Sequence, residues 1–468
     1  MICGFVFKRK GEVNPMEWEA IQKRLNDLLE KGRHGELRGA MMMLNEVDIA
    51  QYMEGLDKEK LLLVFRILPK DISADVFSYM SDEQKQTLIE SIGDQEIRAL
   101  IDDMFLDDAV DFLEEMPSSV VRRVLQTADA EKRELINQFL RYPEYSAGSL
   151  MTIEYLECHG EDTVRQAMDL IRKEGLDKET IYTLYIIDAT HHLIGTLALR
   201  KMILASEDTV LSTLMDRNVV SVRTTDDQEK VAELVRRYDL MAIPVVDKED
   251  RLVGIITADD IMDVIEEETT EDFEKMAALT PSEDEYLKTS PFKLALNRIP
   301  WLLLMAVIAI FTGMIITYYE DVLSASASVG IILTACIPML MDTGGNCGAQ
   351  SSTLIIRGLS LGQITLKDFF RALWKEFRVA LIVGAVLFSF TICRVRFING
   401  AEWGVAFVVA AALFCTILLA KALGCAMPML AKRLGLDPAL MASPLITTVV
   451  DMSSLVIYFS IARTVLKI

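Results

Sequence analysis

The sequence predicts a multidomain chain: an α-superhelical N-terminal domain, an α+β pair of tandem units, and an all-α polytopic membrane domain with five transmembrane helices. Three observations carry this prediction. Charge divides unevenly, with 61 Asp/Glu against 35 Lys/Arg over residues 1–293 and 8 against 13 over 294–468. The first part is therefore strongly anionic, whereas the second is mildly cationic and holds most of the long apolar runs. Two different internal repeats lie within the acidic part, one of helical character and one of strand character. At 468 residues the chain also exceeds the size of one ordinary domain.

Composition excludes several classes of function. A net charge of −21 argues against a nucleic-acid partner, which needs a basic face to neutralise phosphates. Seven cysteines form no CxxC pair, and His34, His159, His191 and His192 have no zinc spacing. The first ten residues are charged too early for a signal peptide, so the acidic part is expected in a reducing cytosol.

Residues 1–20 read as an extension. Residues 21–146 carry a helical pattern broken into short pieces. Pro69 and Pro117 open similar stretches, followed by the acidic starts Ser81-Asp82-Glu83 and Asp129-Ala130-Glu131, and Leu88-Ile89 matches Leu135-Ile136. Helix pairs repeating at this period stack into a superhelix.

The period changes over 147–205 and 206–270. Ile187/Val246, Asp188/Asp247 and Gly195/Gly254 all stand 59 residues apart, each within a strand, turn, strand and helix pattern. This duplicated unit resembles a pair of CBS domains. Residues 271–296 read as a connecting helix, and 297–468 hold five candidate spans near 299–319, 325–355, 379–395, 405–430 and 439–466. Each approaches the ~20 residues a bilayer requires, the third being the shortest. The connection between spans two and three carries Arg357, Lys367, Arg371, Lys375 and Arg378, and that between four and five carries Lys432 and Arg433. These basic loops put the N-terminus in the cytosol and the C-terminus outside, against the weaker vote of Arg394 and Arg396.

Span two contains Asp342, Gly344, Gly345, Asn346, Gly348 and Gln350. Gly344 and Gly348 alone would serve close helix packing. Asp342, Asn346 and Gln350, however, recur every fourth residue and share one face, as a polar lining requires. Span five holds Asp451 near its middle. An Asp there costs roughly 2.5–3.5 kcal/mol on insertion scales, and no basic residue of the span can pair with it. Thr447 and Ser454 offer hydroxyls on nearly the same face, and Pro444 is expected to free backbone carbonyls. A cation site is favoured over an Asp merely hydrogen-bonded inside a bundle.

The order of these parts, with Gly344-Gly345-Asn346-x-Gly348-x-Gln350 and Pro444-Leu445-x-x-Thr448-x-x-Asp451, resembles the MgtE family of magnesium channels. The resemblance implies a homodimer in the lipid bilayer, with a Mg²⁺ pore on the two-fold axis lined by spans two and five. Asn346, Gln350, Ser443 and Thr447 would line it, and Asp451 would be the pore carboxylate. It implies also a cytosolic Mg²⁺ sensor that closes the pore when the ion is plentiful. Asp107, Asp111, Asp227, Asp263, Glu268, Glu271 and Asp272 are the candidate ligands. Eight acids fall within 259–272 without one base, and they would repel in a packed assembly unless cations screened them. Thr257 and Asp260 fit the family pattern for ATP or another adenine nucleotide, whereas the matching Ala198 and Lys201 of the first unit do not; a CBS pair that binds nothing is the alternative.

Two rival functions stay open, transport of Co²⁺ or Mn²⁺ by the same carboxylates and a membrane-anchored sensor. An enzyme is not expected, for want of a nucleophile–base pair or a phosphate loop.

Overall fold

A computed structural model of the chain describes residues 15–282, 286–287, 289–324, 327–441 and 443–467. It separates into two compact units, one ending at Ile265 and one beginning at Glu266.

Among the described residues the first unit opens with ten helices: α1 (Pro15–Glu30), α2 (His34–Met41), α3 (Glu46–Glu54), α4 (Lys58–Ile67), α5 (Lys70–Ser78), α6 (Asp82–Ser91), α7 (Asp94–Asp103), α8 (Leu106–Glu114), α9 (Ser118–Thr127) and α10 (Ala130–Phe139). Local chemistry sets where they start. The Asp57 carboxylate accepts from the Lys60 amide at 3.0 Å to cap α4, and Glu96 accepts from the Gly93 amide at 2.9 Å at the head of α7. Pro69 and Pro117 stand just before α5 and α9 in extended backbone, and Ser81 and Asp129 just before α6 and α10. The repeat in the sequence is thus the pairs α5–α6 and α9–α10. Packing runs mostly to the next helix but one, α3 on α5, α5 on α7, α7 on α9 and α4 on α6, which is a superhelical stack. Phe77 and Phe112 meet edge to face at 5.1 Å in its core.

After a short α11 (Ala147–Leu150) come two similar units. The first has β1 (Glu157–His159), α12 (Val164–Glu174), β2 (Thr183–Ile187), β3 (Leu193–Ala198), α13 (Leu199–Ile203) and α14 (Leu211–Leu214). The second has β4 (Val222–Arg223), α15 (Gln228–Tyr238), β5 (Ala242–Val246), β6 (Leu252–Thr257) and α16 (Ala258–Met276). Each sheet pairs its first strand parallel and its third antiparallel to the middle one. The matched aspartates are turn residues: Asp188 accepts from the amides of Thr190 and His192, and Asp247 from those of Glu249 and Arg251. The matched glycines admit close neighbours. A Cβ would stand 2.6 Å from Met215 Sδ at Gly195, and 2.8 Å from the Thr152 carbonyl at Gly254.

The second unit holds α17 (Pro291–Tyr318), α18 (Glu320–Ser324), α19 (Ala327–Ser360), α20 (Phe369–Cys393), α21 (Trp403–Arg433) and α22 (Ser443–Leu466). Among the described residues five helical segments are long and apolar enough to cross a membrane. The third departs from its expected bounds. Helix α20 starts at Phe369, so Arg371, Lys375 and Arg378 ride on its first turns rather than in a loop, and Arg357 lies in the last turn of α19. Long basic side chains can lie along a helix while their heads reach water, so charge did not mark the end of this one.

Glycines let α19 approach α21 and α22 closely. A Cβ on Gly344 would stand 2.6 Å from Thr416 Cγ2, and one on Gly348 2.7 Å from Ile446 Cγ2. One on Gly424 would collide with the Gly348 carbonyl. Backbone-to-backbone packing of this kind admits only the smallest residues.

Gly424→Ala should therefore lower the thermal midpoint of the purified protein in detergent, by the equivalent of about 1–3 kcal/mol for an overpacked site. Gly313→Ala in α17, where a Cβ meets nothing within 4 Å, should leave it unchanged. Equal shifts for the two variants would count against the close approach.

Candidate functional site

Helix α19 has two unlike faces. Gly344, Gly345 and Gly348 are buried against α21 and α22, whereas Asp342, Asn346 and Gln350 are exposed on the other side. The Asn346 amide donates to Asp342 Oδ1 at 3.1 Å, joining two turns of the polar face. Asp451, half-buried in α22, lies near enough to Asp342 to interact with it electrostatically. Its Oδ1 is buried and has no hydrogen-bond partner among the described residues. Thr447, one turn earlier, touches the glycine face, with its Cγ2 2.9 Å from where a Gly345 Cβ would stand.

Three details differ from expectation. Ser454 is fully buried and donates to the Asp451 carbonyl at 2.8 Å, so its hydroxyl serves its own helix. Pro444 sits in the first turn of α22, where its missing amide costs nothing, and its carbonyl accepts from Thr447 and Thr448 at 2.9 and 2.8 Å. It therefore neither breaks the helix nor offers that oxygen to an ion. Ser443 opens α22, and its side chain lies outside the described residues.

Within the first unit a second group of acids converges. Asp107 is buried, and loss of hydration together with Asp260, Asp108 and Glu179 holds its carboxyl well above the usual range. Burial and neighbouring acids likewise push Glu179 up to about 7 and Asp260 up to about 6. Asp111 reaches about 7 through loss of hydration, Glu114 and Asp260. Its side chain nevertheless keeps an exposed surface, so water screens it more than it screens Asp107. Lys132 faces Glu154, Asp102 and Asp107, and its ammonium donates a hydrogen bond to the Met104 carbonyl at 2.6 Å. Among the described residues no three acid, His or Cys side chains are arranged to ligate a metal. What the geometry presents is a set of carboxylates held closer than their charges favour.

The other sensor candidates take separate places. Asp227 caps α15, accepting from the Glu229 amide at 2.9 Å. Asp263 is exposed on α16. Glu271 accepts from Lys275 at 2.7 Å, and Lys275 reaches Asp437 at 2.7 Å as well. Burial and Asp437 raise the carboxyl of Asp272. Glu268 is half-buried beside it. The acids of 259–272 are thus partly compensated, by a lysine three residues beyond the run. Thr257 Oγ1 donates to Asp260 Oδ2 at 2.6 Å at the junction of β6 and α16, so the two candidate nucleotide residues are adjacent. Asp260 belongs to the acidic group at the same time.

Comparison with known proteins fits this architecture. A family model described as MgtE, divalent cation transporter, matches residues 337–461; the MgtE intracellular N domain matches 44–145 and the CBS domain 211–267. The chain is 34% identical over 452 residues to the magnesium transporter MgtE of Thermus thermophilus, spanning 96% of this chain and 99% of that one. The chain belongs to the MgtE family. The magnesium transporter MgtE of Bacillus subtilis is 33% identical over 96% of this chain and 98% of its own length. The soluble part of a magnesium transporter has a crystal structure that matches with a TM-score of 0.51 and 31% identity, over 54% of this chain and 99% of that one. The cytosolic domain of the Mg²⁺ channel MgtE in complex with ATP matches with a TM-score of 0.50 and 34% identity, over 52% and 99%. The first of the two CBS-like units, though outside the CBS model's match, has the strand order of the second in this MgtE chain.

The raised carboxyls give a signed pH prediction. Asp111, Glu179 and Asp260 bind protons in the folded state up to about 7, 7 and 6, and unfolded acids release theirs near pH 4. Their favourable contribution is complete below pH 4 and is lost as pH rises through 6 to 7. In chelator, the full-length protein should thus resist proteolysis between residues 139 and 265 better at pH 5.5 than at pH 8. Equal cleavage at both values would mean that these carboxyls stay hydrated.

Proposed function

We propose that this chain carries Mg²⁺ across a membrane down its electrochemical gradient, as a homodimer whose pore is lined by α19 and α22. The observation that supports this most is the exposed polar face of Asp342, Asn346 and Gln350, whose Asp342 interacts with a carboxylate that has one oxygen without a hydrogen-bond partner among the described residues. Mg²⁺ gives up its water reluctantly and is usually held by one or two carboxylates through retained waters. Two Asp451 side chains across a symmetry axis would supply such a ring of charge, with Asn346, Gln350, Ser443 and Thr447 addressing the hydration shell. All these donors are oxygen or amide groups, which suit hard cations, Mn²⁺ among them, better than soft ones.

In this reading the first unit is cytosolic, the C-terminus lies outside, and the acids regulate the pore. Cytosolic Mg²⁺ would take the place of the protons that Asp107, Asp111 and Asp260 otherwise retain, and so favour the compact arrangement. Asp227, Asp263, Glu268, Glu271 and Asp272 complete the proposed ligand set. An adenine nucleotide would bind at Thr257 and Asp260, in competition with their mutual hydrogen bond. No enzymatic step is proposed.

Asp451→Asn keeps shape and hydrogen bonding but removes the charge. It should cut Mg²⁺ uptake into liposomes by at least tenfold with assembly intact, and Thr447→Val should do less. Undiminished flux through Asp451→Asn would move the ion site to Asp342 and Asn346. For the nucleotide, calorimetry of ATP binding to the full chain should lose its heat in Asp260→Ala. The same heat in both proteins would remove that assignment.

A further inference from the structure

The proposed pore and sensor leave one buried polar group of the membrane unit without a role. Ser351 of α19, Glu376 of α20 and Lys421 of α21 meet in the interior, at 0%, 9% and 4% exposure. The Ser351 hydroxyl donates to Glu376 Oε2 at 2.6 Å, the Lys421 ammonium donates to that hydroxyl at 3.1 Å, and Lys421 Nζ stands 3.6 Å from Glu376 Oε2. Three helices are joined through one hydroxyl group.

Stability alone is a poor reason for such a group. A buried ion pair loses in dehydration much of what it gains in attraction, and apolar residues of equal volume often replace it without loss. In membrane-spanning segments charged side chains are scarcer still and mark function. What a buried pair can give that apolar packing cannot is direction. A hydroxyl placed between a carboxylate and an ammonium satisfies both in few orientations.

Position makes that direction matter. Ser351 follows Gln350 directly and lies three residues beyond Gly348; Lys421 lies three residues before Gly424. The triad therefore sits about one turn from the closest approach of α19 and α21, where a Cβ on Gly424 would also be 3.0 Å from Ser351 Cβ. Glycine packing keeps bulky residues off that face of α19 but supplies no directional bond, so small rotations about the helix axis are left to other contacts to fix. Because the helix is rigid, fixing the Ser351 hydroxyl fixes where Gln350, Asn346 and Asp342 point.

We infer that Ser351, Glu376 and Lys421 are positioning residues for ion passage, locking the rotation of α19 so that its polar face is held toward the ion. This rests on the reading of that face as pore lining.

The test uses the full chain in liposomes, with Cys3, Cys393 and Cys415 replaced by Ser. The Asn346→Cys thiol reports the face by its rate of reaction with a cationic methanethiosulfonate, and Mg²⁺ flux is read in the matching protein that keeps Asn346. Ser351→Ala should change the thiol rate and lower the flux by at least fivefold each, with assembly unchanged. Lys421→Met with Glu376→Leu should do the same, whereas the exchange Lys421→Glu with Glu376→Lys should stay within threefold of the parent on both readings. Parental flux and thiol rate in Ser351→Ala would overturn the inference, and that variant decides alone if the neutral pair does not assemble. A parent thiol that neither reacts nor is protected by Mg²⁺ would instead overturn the pore reading itself.

Discussion

A carboxylate inside an apolar bundle needs a counter-charge or water, and Asp451 is given no protein partner for one of its oxygens. Much of the membrane unit can be understood from that constraint. The nearest charge that α19 brings is Asp342, a second acid that sharpens the need for a cation or water, and Asn346 on the same exposed face donates to Asp342. For that helix to come near α22 its opposite side must be almost without side chains, which Gly344, Gly345 and Gly348 achieve. Polarity on one face and bareness on the other are two halves of one requirement.

Repulsion sets the terms in the first unit. Asp107, Asp108, Asp111, Glu179 and Asp260 are drawn together by helices and strands whose apolar cores have other reasons to pack. The cost appears as carboxyl groups held above their usual range. At the far end of α16 a covalently attached cation, Lys275, already spans Glu271 and Asp437.

Periodicity and charge made most of this legible from the amino-acid order. The 59-residue repeat located both sheets because the same turn aspartate and the same crowded glycine recur in each. Spacing by four put Asp342, Asn346 and Gln350 on one face. The failures were of two kinds. A linear scan ended the third span at its charges, which hid Glu376 in what looked like a loop, although Lys421 was a plain signal as a lone base within span four. Pairings between distant residues, Lys275 with Asp437 or Ser351 with Glu376, have no signature along the chain because tertiary packing creates them.

The near-neighbour stacking of α1–α10 has a consequence for the order of events during synthesis. Contacts this local form in well under a second, whereas translation proceeds at about 5–20 residues per second. Asp260 follows α10 by some 120 residues and so emerges roughly ten seconds after the stack can close. Asp107 and Asp111 are thus built into a finished domain before Glu179 and Asp260 exist, with only the acids of α8 itself, Asp108 and Glu114, already beside them. Folding of the helical stack therefore meets only its own share of the repulsion that the mature protein holds.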